Sequence, residues 1–271
     1  MNQRPILITG ATGKSGSRIA SLLDARGANV RRGGRELETR FDWSRPETFA
    51  SALQDCRAAY LCYYPDYAFP GAEEALTTFT KTAREAGVNH IVMLVGRGES
   101  HAIRAESTVR RGGIPTTVLR SAWFAQNFSE GAFLQGVRDS VVAMAGGDVR
   151  EPVIDLDDLC EVAARMLLAA PSNRTLELTG PQSITFTQMT IALSQILKKP
   201  VKHLPISFEE FYEELRSVTD SSYARVVTDI AKETLDGRNE RTSTDVERLL
   251  GRPATDFKTY ARRAAAAGAW D

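Results

Sequence analysis

Eight residues near the amino end, Thr9-Gly10-Ala11-Thr12-Gly13-Lys14-Ser15-Gly16, carry the clearest chemical signal in the chain. Their three glycines recur at intervals of three, between the apolar run Ile6-Leu7-Ile8 and a segment with Ile19, Leu22 and Leu23 at helical spacing. Each glycine has a use. Gly10 permits a tight turn, Gly13 lets backbone approach a pyrophosphate without an intervening Cβ, and Gly16 lets the helix lie close on the strand. The amides and dipole at the start of that helix then favour phosphate. A P-loop is excluded: it would need a glycine at the position that Ile8 occupies.

A dinucleotide is therefore the expected ligand. An NAD site usually offers a carboxylate to the ribose diol at the end of the second strand. Here that stretch reads Arg31-Arg32-Gly33-Gly34-Arg35. Arginine grips a 2′-phosphate bidentately, so NADP(H) is favoured over NAD(H). The other reactive side chains group less well. His90, His101 and His203 are scattered, and Cys56, Cys62 and Cys160 fit neither a zinc pattern nor a CxxC pair. No metal site is expected, and Cys62 and Cys160, in apolar runs, read as buried thiols.

The elements that must position these residues alternate. Strands are expected over 6–9, 28–32, 58–63, 90–95 and 116–120, and helices over 17–26, 46–54, 73–86, 103–111 and 124–137. Such alternation predicts an α/β fold, a doubly wound parallel Rossmann sheet with helices on both faces. From about Ser140 the rhythm changes. Short strands over 141–144, 152–154 and 176–179, and helices over 157–168, 186–197, 208–218 and 222–235, predict a smaller C-terminal α+β substrate lobe. The expected division is 1–139 for the dinucleotide domain and 140–271 for the lobe, partly interleaved.

Ligands of open α/β sheets bind beyond the carboxyl ends of the strands. Tyr63 and Tyr64 end the third predicted strand, His101 follows the fourth, and Trp123 follows the fifth. The expected substrate wall is Tyr63, Tyr64, Trp123, Phe124 and Phe128, with His101 near its mouth. The structural alternative is that the aromatics only fill the core. Thirty-four basic residues balance thirty-four acidic ones, and 42% of the 271 residues are hydrophobic. That excludes a whole-protein charge pull toward nucleic acid or anionic membrane. The expected partner is a small molecule, without nucleic acid or membrane, for a monomer or homodimer. Met1-Asn2-Gln3-Arg4-Pro5 runs straight into the first strand, and no apolar run is long enough to span a bilayer, so the expected compartment is cytoplasmic.

Three later segments join the glycine turn and basic strand end. They are Leu119-Arg120-Ser121-Ala122-Trp123-Phe124-Ala125-Gln126-Asn127-Phe128, Pro152-Val153-Ile154-Asp155-Leu156-Asp157-Asp158-Leu159 and Asp245-Val246-Glu247-Arg248-Leu249-Leu250-Gly251-Arg252-Pro253. Together they resemble the NmrA-like group of atypical short-chain dehydrogenases/reductases, and within it the branch of quinone and ergot-alkaloid reductases. The resemblance implies reduction of a C=N, C=C or quinone group by NADPH. It implies that Gly10, Thr12, Gly13 and Ser15 line the pyrophosphate, in one turn with Lys14 and Gly16. It also implies that Arg35 meets the adenosine ribose or its phosphate and Asp42 the adenine amine, with Tyr63 and Tyr64 beside the nicotinamide half. One departure matters. The lysine that many relatives carry after the fourth strand falls near Ala102, and no YxxxK motif occurs. Proton donation would then fall to His101 or Tyr64. Two functions follow: a reductase of an electrophilic conjugated substrate, or a non-catalytic NADP-binding redox sensor acting through a protein partner.

Overall fold

The computed structural model describes residues 4–271; Met1-Asn2-Gln3, at the head of the expected leaderless start, lie outside the described residues. β1 (Ile6–Ile8) is wholly buried and leads through the glycine turn into α1 (Lys14–Asp24). β2 (Val30–Gly34) and the two-residue β3 (Thr39–Arg40) follow. Then come α2 (Phe49–Leu53), β4 (Ala58–Leu61), α3 (Ala72–Glu85), β5 (His90–Gly96), α4 (Ser100–Arg111) and β6 (Thr116–Ser121). The chain passes through α5 (Leu134–Arg138), β7 (Val141–Met144) and β8 (Arg150–Glu151). It returns by α6 (Leu156–Leu168) to β9 (Arg174–Leu178).

The large sheet runs β3-β2-β1-β4-β5-β6-β9. β1 pairs in parallel with β2, Ile6 against Val30, and with β4, Ile6 against Ala58. The chain therefore winds outward from β1 in one direction and then, from β4, in the other. This is the doubly wound Rossmann order, with its switch point between β1 and β4. The near-continuous burial of β1, β4 and β5 explains their unbroken apolar runs, as both faces of a parallel sheet are covered. An aromatic cluster of Phe41, Trp43, Phe49 and Phe79 fills one part of this core.

Two compact units divide the chain. One takes Met1–Gly96, Ser100–Arg120 and Leu159–Glu177; the other takes Arg97–Glu99, Ser121–Asp158 and Leu178–Asp271. The helix and strand expected over 157–168 and 176–179 thus contribute chiefly to the first unit, with β9 as the seventh strand of its sheet.

The second unit holds β7, β8, β10 (Ile184–Thr185), α7 (Phe186–Leu197), β11 (Lys202–Pro205), α8 (Phe208–Val218), α9 (Ser221–Thr234), α10 (Asp245–Leu250) and α11 (Phe257–Ala266). β11 pairs in parallel with β7, and β10 pairs antiparallel with β8. α7 and α8 both open on capping boxes, Thr185 with Gln188 and Ser207 with Glu210. The motif segments interlock here. Arg252 donates to Asp158 at 2.6 Å, Thr255 N to the same carboxylate at 2.6 Å, and Arg263 to Asp155 at 2.6 Å. Gln126 adds a bond to Asp155 and accepts one from Leu156 N, each 2.8 Å.

Two expected elements fail. The helix predicted over 124–137 is a 3-10 turn at Ala125–Phe128 followed by the short α5. Phe128 and Phe133 both turn into one aromatic core, and Phe133 N bonds back to Asn127 O, which a continuous helix would forbid. The strand predicted over 152–154 is also absent: β8 ends at Glu151, because Pro152 has no amide for a ladder. Only Ile154 bridges onward, to Phe124.

Candidate functional site

At the switch point, the ends of β1 and β4 are tied by one hydroxyl. Thr9 Oγ1 donates to Tyr60 O at 3.0 Å and accepts from Cys62 N at 3.1 Å. Ala11 N reaches Gly33 O at the end of β2, 3.2 Å away. The turn between these anchors leaves Gly10, Thr12, Gly13 and Lys14 exposed, while Ser15 and Gly16 face inward. Gly10 has φ +61°, in the left-handed region. A Cβ on Gly16 would lie 2.2 Å from Gly10 O, so this glycine is required for the turn to close over the helix. A Cβ on Gly13 would approach the same oxygen at 3.2 Å from the exposed side. α1 begins at Gly13 with no side-chain cap, which leaves the dipole end to whatever meets the turn. Ser15 presents backbone there: its hydroxyl accepts from buried Tyr60 at 3.0 Å. These features fit a pyrophosphate.

The loops after β2, β3 and β4 bring Arg35, Asp42 and Tyr64 together. The Arg35 guanidinium lies over the Tyr64 ring, 5.5 Å from its centroid. Burial acts to raise the Asp42 carboxyl, but bonds from Ser44 and the charges of Arg35 and Arg45 hold it below its usual value. Arg31 and Arg32 point elsewhere. Arg31 donates to the carbonyls of Ala52 and Gln54, and Arg32 pairs with Asp24. Tyr63 packs on Trp43 and Tyr67, with centroids 5.0 and 5.6 Å away. Trp43 Nε1 in turn donates to Cys62 O at 3.1 Å and fixes the start of that loop. Burial pushes the Cys62 thiol up to about 11, so it is no nucleophile.

His101 lies in the first turn of α4. Arg104 donates to its Nδ1 at 2.7 Å, so Nε2 is the nitrogen that carries hydrogen in the neutral ring. Burial raises the Asp66 carboxyl, and the nearby His101 acts to lower it. In the second unit, Trp123 and Phe124 are half-buried, whereas Phe128 is a core residue, 1% exposed and packed on Phe133 and Phe257. Trp123 stacks on Phe133 and meets Phe186 edge-on.

Sequence reasoning missed Glu151. It is fully buried, neither carboxylate oxygen has a hydrogen-bond partner, and the hydroxyl of Ser183, beside its strand partner Ile184, is also unpartnered. Burial pushes this carboxyl up to about 7 against the pull of Arg97. Asn239 was missed too: its side-chain amide donates to Arg97 O at 3.0 Å, and its backbone carbonyl accepts from the Arg97 side chain at 2.7 Å. A glutamate before a proline looks like an exposed strand end, so no sequence signal marked Glu151.

No family model matches the chain. It is 28% identical to an uncharacterized oxidoreductase, YesF, of Bacillus subtilis, over 98% of this chain and 97% of the relative. It is 25% identical to a festuclavine dehydrogenase of Aspergillus fumigatus, over 95% and 97%. Its fold is shared with a Citrobacter triphenylmethane reductase solved with NADP(H): TM-score 0.77 and 24% identity, covering 96% of this chain and 99% of that one. Among the described residues no helix is long and apolar enough to cross a membrane.

Proposed function

We propose that the chain is a member of the NmrA-like group of atypical short-chain dehydrogenases/reductases and an NADPH-dependent reductase of small conjugated electrophiles, an iminium, enone or quinone, a reading supported by its similarity to oxidoreductases over nearly its whole length. The observation that carries this is the glycine cradle at the β1–α1 turn, with Arg35 left at the end of β2. Thr12, Gly13, Lys14 and the Ser15 backbone would hold the pyrophosphate, Arg35 the 2′-phosphate, and Asp42 the adenine amine. NADPH, when bound, supplies hydride.

The chain's own part is positional. Tyr63, held by Trp43 and Tyr67, gives the loop after β4 a rigid wall. Trp123 and Phe124 offer half-buried aromatic faces suited to a flat ligand. His101, through the Nε2 hydrogen set by Arg104, is the group to hold a proton near the start of α4. An acceptor that is already electrophilic makes little demand for a strong acid, which suits a chain without the YxxxK pair.

Binding and turnover are measured separately, by titration with NADPH and by its oxidation with a panel of quinones and iminium ions. The expected outcome is micromolar binding with turnover of at least one class. Binding without turnover on any acceptor overturns the reductase and leaves the redox-sensor reading; absence of binding removes both.

A further inference from the structure

We propose that Tyr64 is a positioning residue for cofactor choice: its ring is the aromatic face over which the Arg35 guanidinium is held, and this contact presents the guanidinium fork to the adenosine 2′-phosphate. The inference rests on the dinucleotide reading above and goes beyond it in giving this tyrosine to the adenosine end.

Four observations meet here. First, Arg31 and Arg32 are engaged with backbone carbonyls and with Asp24, which leaves Arg35 as the arginine of that stretch at the cofactor side. Second, the Arg35 guanidinium sits over the Tyr64 face, 5.5 Å from the centroid. Third, Tyr64 is 65% exposed while its neighbours Tyr63 and Tyr67 pack on each other, so it is the aromatic of this loop with a ring face turned outward. Fourth, Asp42, on the loop after β3, carries a negative charge that Arg35 helps to stabilise.

An arginine on an open loop has many rotamers, and ordering it on binding costs entropy that weakens the contact it makes. A ring face removes part of that cost before the ligand arrives. The guanidinium is planar and stacks on aromatic faces with its N–H edges still outward, which a lysine cannot imitate. The charge of Asp42 attracts the same guanidinium and adds to its restraint. The result is a fork already aimed, at a point where NADPH and NADH differ by one phosphate. Tyr64 need not touch the phosphate to act.

The test is a double-mutant cycle read as the ratio of NADH to NADPH dissociation constants, by calorimetric or fluorescence titration of the full chain. Tyr64→Ala is expected to weaken NADPH about three- to tenfold and to leave NADH within about twofold. Tyr64→Phe keeps the ring face and is expected to keep the wild-type ratio. Arg35→Ala removes most of the preference, and Tyr64→Ala added to it then changes the ratio no further, because the tyrosine acts through the arginine. Equal weakening of both cofactors by Tyr64→Ala, an unchanged ratio, or additive effects in the cycle would each overturn the proposal. A wild type with no NADPH preference, or an Arg35→Ala variant that keeps it, overturns the underlying reading of Arg35 as well. A preference lost with Arg35→Ala but kept with Tyr64→Ala overturns this inference alone.

Discussion

At the scale of single residues, the glycine turn separates what folds the chain from what binds. Gly16 and Gly13 are three apart and look equivalent in a motif, yet their surroundings differ. The Cβ of an alanine at 16 would overlap backbone at 2.2 Å, which no rotamer relieves. At 13 it would come to 3.2 Å, a distance that a small shift accommodates. Gly16→Ala is therefore expected to lower stability by about 2 kcal/mol or more, in the range of overpacked cores. Gly13→Ala is expected to leave the melting temperature within a few degrees while dinucleotide affinity falls at least about tenfold, because the added carbon faces the pyrophosphate side. Thermal melts and nucleotide titrations of both variants decide it. The reverse pattern would place the ligand elsewhere. Residue identity carried the expectations at this site: glycine spacing pointed to the turn that the structure has, and arginine to the NADP(H) preference proposed above. It was silent on Tyr64, since an exposed tyrosine after a strand has the same signature whether it meets nicotinamide or stacks on an arginine three loops away.

Among the elements, the longer strands of the large sheet, β7 and most helices could be read from periodicity, because burial on a sheet or along a helix stripe imposes it, whereas β3 and β11 could not. Nor could the segment between Trp123 and Arg138. Phe128 and Phe133 are five apart, and their shared core is reached by breaking the helix, a tertiary demand that local pattern does not show. The two-residue clip of β8 on β10 was equally hidden, and it carries the buried Glu151. This carboxyl titrates near 7 in the folded chain, above its ordinary 4.5. The native state then binds more protons than the unfolded state across that interval, so stability is greatest below 4.5 and falls as pH rises toward 7. The loss attributable to this group is on the order of 3 kcal/mol. Glu151→Gln cannot ionise. Urea unfolding at pH 5 and pH 8 should show the stability difference, variant minus wild type, rising with pH; a difference that stays constant would mean that Glu151 is solvated or already paired.

For the molecule as a whole, the chain returns to its first unit after leaving it. Leu159, Cys160, Val162, Ala163 and Leu167 on α6 are fully buried, and the Cys160 thiol lies 3.6 Å from Ser15 O beneath the glycine turn. A fragment of residues 1–139, the division that sequence rhythm suggests, lacks these side chains and the seventh strand. It is expected to unfold without a cooperative transition and to bind NADPH at least about tenfold more weakly than the full chain. Cooperative unfolding and full affinity in that fragment would show that α6 and β9 are dispensable. Sequence rhythm carries only a partly interleaved division, because a strand reached from a distant helix looks the same in sequence as a strand of a new lobe.

That late seventh strand also sets an order of events on the ribosome. β6 lies beside β9 in the finished sheet, but it is synthesised more than fifty residues earlier. Until Arg174–Leu178 emerges, the row of amides and carbonyls along Thr116–Ser121 has no neighbour on that side. A nascent chain at this stage offers an open strand edge, the kind of surface that pairs with other chains. The interval between β6 and β9 is therefore when this protein most needs a chaperone, and when slow translation would be most costly.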